Sequence, residues 1–189
     1  GERPVTRARR RRRVVAPVLG LALLAAAWFG RPVYDDVFDF IRDNTTDPKP
    51  VRPTGVSASS ELPGMSAGAA FDGAKNQPWS PDALDKSAEL VAAFDQPVRL
   101  VNVIVTPGVS ADQDQFLTYG RPQKLTLRFV TTDGQSSTQT LTLTDKAGAQ
   151  TFKLGGKNDV HEVHIVIDSV YGPPDRPPAI AEVEFFRAG

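Results

Sequence analysis

Five consecutive arginines, Arg9 to Arg13, abut seventeen residues without a charge, Val14 to Gly30, which read VVAPVLGLALLAAAWFG. No other stretch constrains the chain as much. As a helix at 1.5 Å per residue the run is about 25 Å long. That lies at the short end of a bilayer span, which takes about 17–25 apolar residues. Only a helix hides its own backbone polar groups in hydrocarbon. The spacing therefore predicts a transmembrane helix over 14–31, with Pro17 tolerated in its first turn. By the positive-inside rule Arg9, Arg10, Arg11, Arg12 and Arg13 keep residues 1–13 cytoplasmic, and Trp28 and Tyr34 suit the far interface. The rival reading is a cleaved signal peptide, because Ala25-Ala26-Ala27 resembles an A-x-A cleavage site. The run continues past that point through Trp28 and Phe29, which favours the span. Ala16, Gly20, Ala22, Ala26 and Gly30 form small-xxx-small pairs that would permit self-association.

The formal charge of zero conceals two unequal parts. Residues 1–13 hold seven Arg and one Glu, net +6; the rest holds fifteen Lys and Arg against twenty-one Asp and Glu, net −6. The exported part is thus mildly acidic and offers no basic face to nucleic acid. The arginine block, set against an apolar span, reads as a topology determinant that also meets anionic headgroups of the lipid bilayer. There is no cysteine, which excludes disulfides, zinc–thiolate sites and a cysteine nucleophile.

Beyond the span, Val33, Val37, Phe40 and Ile41 form one helical stripe. It marks a juxtamembrane helix that packs on the domain, lies at the lipid surface or serves as an oligomerisation stalk. Pro48, Pro50 and Pro53 then predict a semi-rigid linker outside any helix or sheet, so that 32–53 joins the membrane to a domain over 54–189. That domain reads as all-β. Eight short strands are expected, at 56–60, 89–94, 100–105, 124–130, 138–144, around 152–154, 161–168 and 179–186. Asp95-Gln96-Pro97 separates the second from the third, and Asp133-Gly134 signals a hairpin. Alternation places Leu125, Leu127, Phe129, Leu141, Leu143, Val163, Ile165, Ile167, Ala181, Val183 and Phe185 inward. Strands of this number and spacing argue for a jelly-roll β-sandwich.

Two loops collect groups suited to a polyhydroxylated ligand, which needs aromatic faces beside Arg and Asp. One holds Asp112, Asp114, Phe116, Tyr119 and Arg121; the other holds Tyr171, Asp175 and Arg176 among four prolines. Trp79 caps the sandwich edge or stacks on a sugar. Gly64-Met65-Ser66-Ala67-Gly68 matches G-x-S-x-G, but a nucleophile elbow needs a strand before and a helix after, and the surroundings are loop. His161 and His164, three apart on a strand, face opposite sides and cannot readily share a metal. No catalytic set emerges, and a non-enzyme is expected.

The order of motifs carries a resemblance. Val56-Ser57-Ala58-Ser59-Ser60, then Ala70-Phe71-Asp72-Gly73, Trp79 and Glu89-Leu90-Val91-Ala92-Ala93-Phe94 resemble the opening of discoidin-like domains. These are the coagulation factor 5/8 type C and galactose-binding-like modules. Gln115 to Arg128 and the ending from Ser169 to Phe186 are similar to a bacterial branch, found in actinobacterial envelope proteins, in which a glycan-binding-type jelly roll follows a transmembrane helix. The resemblance covers about 54–187. It implies a single-pass cell-membrane protein whose extracytoplasmic domain binds cell-envelope glycan without catalysis. The alternative is a membrane adaptor that docks a protein partner or a larger machine. Many relatives bind calcium at an Asp-Gly-Asp turn. Here the turn reads Asp72-Gly73-Ala74, which leaves Asp72 as a lone calcium candidate and otherwise no expected cofactor.

Overall fold

The computed structural model describes residues 47–74, 77–82, 88–172 and 174–189. The expected basic segment, membrane span and juxtamembrane helix lie outside these residues. Among those described, no helix is long and apolar enough to cross a membrane.

Seven antiparallel strands form the domain: β1 (Lys49–Val51), β2 (Gly55–Ala58), β3 (Glu89–Pro107), β4 (Arg121–Thr131), β5 (Ser136–Thr142), β6 (Gln150–Tyr171) and β7 (Ile180–Arg187). Their order is β1-β7-β3-β6-β4-β5, with β2 on the first half of β3. A 3-10 helix spans Ala67–Phe71, and one helical turn, α1, spans Gln113–Phe116.

The fold is organised by a ribbon of β3 and β6, which pair from Glu89 opposite Val166 to Val105 opposite Gln150. Four of the expected strands are halves of these two. The register slips between Ala93 and Val98, and again up to Asn102. Asp95-Gln96-Pro97 therefore makes a bulged bend instead of a turn, which is where proline is admitted to a strand. On β6 the bend uses Gly155, Gly156 and Asp159, all at positive φ. The first half of β3 pairs with β2 and its second half with β7, so the ribbon carries the sheet over on itself. Gln139 Nε2 of β5 donates to Lys153 O on the first half of β6 at 2.9 Å and fastens the open side.

Every residue that alternation placed inward is buried. Between the layers Phe185 stacks on Phe71, with centroids 6.3 Å apart, and meets Phe94 edge-on at 5.7 Å. The expectation for Pro48–Pro53 needs correction. Lys49–Val51 is a strand, paired with Phe185–Arg187. Proline is compatible with a sheet edge, and β1 is the edge.

Candidate functional site

β3 ends, β4 begins, β6 ends and β7 begins at one pole of the sandwich. The loops there are joined by long-range backbone bonds. Gly120 N–H donates to Pro177 O at 3.0 Å, Ala179 N–H to Gly120 O at 3.0 Å, and Gly108 N–H to Ala179 O at 2.9 Å. A Cβ on Gly120 would lie 2.9 Å from Arg176 O and 3.1 Å from Pro177 O, so only glycine allows this approach. Arg176 Nη1 donates to Thr118 O at 2.6 Å. The two loops picked out in the sequence are therefore one structure.

Their junction walls a hollow of about 410 Å³ lined by Leu62, Asp82, Thr118, Tyr119, Arg176 and Pro177. The volume lies within the range of small-molecule sites. Tyr119 is half-buried, which leaves part of its ring accessible, while Asp82 and Arg176 are exposed. Leu117, on the same loop, is 57% exposed. The hollow thus offers an aromatic surface, a guanidinium, a carboxylate and a hydroxyl.

The remaining candidates are placed otherwise. Trp79 is 0% exposed, and its Nε1 donates to Ser60 O at 3.0 Å. Its backbone pairs in both directions with Ile180, so it staples the start of β7 and presents no face to a sugar. Phe116 is buried, and Arg121 is 6% exposed above it; neither reaches a ligand. Buried aromatics and exposed ones look alike in a loop sequence, and long-range packing decides between them. Tyr171 is half-buried and donates to Leu143 O at 3.1 Å, away from the hollow. Asp112 caps α1 by accepting from Asp114 N–H at 3.3 Å; Asp114 and Asp175 are exposed outside the lining. Leu62 and Asp82 carry no signal in the sequence. Both arrive through the bond from Leu62 N–H to Ser80 O at 2.8 Å.

Calcium takes six to eight oxygens, and Asp72 and Glu182 are the carboxylates beside the Asp72-Gly73 turn. Asp72 Oδ1 accepts from Ala74 N–H at 2.7 Å in a local turn. The buried Glu182 carboxylate receives Gly73 N–H, at 3.1 and 3.2 Å from its two oxygens. Among the described residues no three His, Cys, Asp or Glu cluster for a metal. His164 lies between Glu89, 2.7 Å from Nδ1, and Glu162, 3.3 Å from Nε2, while His161 is exposed elsewhere on β6. Ser66 leads into the 3-10 helix and not into a strand-to-helix elbow.

No family model matches the chain, and no curated protein does. Solved structures do. A family 32 carbohydrate-binding module of C. perfringens NanJ, in complex with galactose, superimposes with a TM-score of 0.58 at 17% identity, covering 70% of this chain and 93% of that one. An F5/8 type C domain from Bacteroides fragilis gives 0.60 at 18%, covering 75% and 97%. A fucose-binding module of Streptococcus pneumoniae gives 0.57 at 17%, covering 75% and 99%. The fold is that of the discoidin-like, galactose-binding-like modules, as the sequence motifs implied.

Proposed function

We propose that this chain, built on the discoidin-like fold, is a non-catalytic glycan-binding module held at the outer face of a membrane by the span over 14–31. The hollow at the loop pole carries the reading. It combines a partly exposed tyrosine ring with Arg176, Asp82 and Thr118 on a braced scaffold, and rings with hydrogen-bonding neighbours suit the two faces of a sugar. Similar folds bind galactose and fucose in the NanJ and S. pneumoniae modules. Asp82 is the only carboxylate lining the hollow among the described residues, whereas glycoside hydrolysis usually takes two.

β7 runs from Ile180, beside the loops, to Arg187, where Lys49 pairs with it. The polypeptide thus enters the domain at the end of β7 away from the hollow, about 25 Å along the strand.

Retention of the full-length chain on immobilised peptidoglycan and other envelope polysaccharides tests the reading. Wild type should be retained, and Tyr119→Ala should elute with the void. Equal behaviour of the two, or capture only by co-purifying proteins, would replace glycan binding with the docking role.

A further inference from the structure

Arg121 opens β4 with its guanidinium almost wholly enclosed, and every polar group on it has work inside the protein. Nε donates to Asp145 Oδ1 at 2.9 Å and Nη2 to Asp145 Oδ2 at 2.8 Å, a two-pronged ion pair. Nη1 donates to Tyr119 O at 3.2 Å. The guanidinium carbon lies 5.3 Å from the centroid of Phe116. Gly172, at φ 102°, leaves room for it, since a Cβ there would come within 2.8 Å of Nη1.

Such a residue is poorly explained by stability. The pair is only partly buried, since the Asp145 side chain is 37% exposed, and ion pairs reached by solvent add little to stability; fixing one arrangement is the use that remains. The arrangement here is specific. Thr118 O is held by Arg176 and the next carbonyl, Tyr119 O, by Arg121. The peptide carrying the ring of the hollow is thus gripped from two directions. Arg121 also ties it to Asp145, on the loop between β5 and β6, which contributes nothing to the lining.

We propose that Arg121 is the positioning residue of the site: its ion pair with Asp145 sets where Tyr119 presents its ring, without touching the saccharide. This rests on the reading that the hollow binds saccharide, but half of its test does not. Full-length Arg121→Lys, Asp145→Asn, the double variant and Gly172→Ala are compared with wild type by amide hydrogen exchange. Lys keeps the charge and loses the fork; Asp145→Asn is the milder change should Arg121→Lys fold poorly. Exchange at Thr118 and Gly120 should quicken in each single variant and no further in the double, while Leu127 on β4 stays protected. Uniform loss of protection across the sheet, or none, overturns the proposal.

The second half uses whichever saccharide wild type binds best among galactose, fucose and soluble peptidoglycan fragments. Affinity should fall about tenfold in Arg121→Lys. Arg128→Lys, which alters an arginine beside Glu89 on the outer sheet face, should bind as wild type does. Lost affinity without selective exchange at 118–120 also overturns it. If wild type binds none of these while selective exchange is seen, the positioning stands and the saccharide reading falls.

Discussion

The two poles of the sandwich carry hollows of similar size and opposite construction. The loop pole encloses about 410 Å³ and the turn pole about 380 Å³, the latter lined by Thr131, Thr132, Asp133, Gln135, Ser136, Ser137, Asn158 and Asp159. At the turn pole much of the polar chemistry is used locally. Thr131 Oγ1 donates to Asp133, Gln135 N–H donates to Asp133 Oδ1 at 3.2 Å, and Gly134 N–H returns to Thr131 O at 2.9 Å. These are bonds of a hairpin turn, and no aromatic side chain lines the hollow. At the loop pole most of the bracing bonds join segments far apart in sequence; Arg176 Nη1 and the Thr118 hydroxyl are engaged on Thr118 O and Gln115 O, while Tyr119 and Asp82 make no side-chain hydrogen bond among the described residues. Volume does not distinguish a site from a crevice here; the fate of the side chains does.

The largest effect should come from breaking the loop pole at its staple. Trp79→Ala empties a fully buried site and should cost about 3–5 kcal/mol in urea unfolding. Thr131→Ala, which removes one turn hydroxyl at the other pole, should cost about 1 kcal/mol. Costs of similar size would mean that the poles are equally braced.

Next come two glycines whose stability effects converge and whose binding effects separate. Gly120→Ala meets backbone on three sides, and Gly134→Ala meets only its own strained φ of 82°. Each should cost about 1–3 kcal/mol. Only Gly120→Ala should also abolish retention on polysaccharide, because it shifts the peptide next to Tyr119.

A smaller effect sharpens the turn pole. The Thr131 hydroxyl, then the Gln135 N–H, hold the Asp133 carboxyl below its ordinary value of 3.8. A folded value below the unfolded one stabilises above the unfolded value and is lost as pH falls through the folded one. Asp133→Asn should therefore flatten the dependence of stability on pH only below about 3.8, with saccharide binding at neutral pH unchanged. Carboxyl titration followed by NMR checks the shift directly. Smallest of all, calcium or a chelator should leave the melting temperature where it was, since among the described residues no three His, Cys, Asp or Glu cluster for a metal.

The sequence made the strands with one buried face legible. Leu125-Thr126-Leu127-Arg128-Phe129 alternates because β4 has one wet side. Asp95-Gln96-Pro97 reads as a break because composition cannot distinguish a bulged bend from a turn, and Pro50 hides a strand because edge pairing depends on a neighbour 136 residues away. Of the candidates named from residue type, Tyr119 and Arg176 line the hollow. Trp79, Phe116 and Arg121 belong to the same chemical classes but face inward, and only the packing of Gly120 on Pro177 and of Arg121 on Asp145 reveals it.

The most direct test is NMR of the full-length chain titrated with galactose, fucose and soluble peptidoglycan fragments. Binding at the loop pole predicts saturable shifts at Leu62, Asp82, Thr118, Tyr119 and Arg176, with Thr131 to Ser137 silent. Shifts confined to the turn pole or to the sheet faces, or none with any of the three, would contradict it.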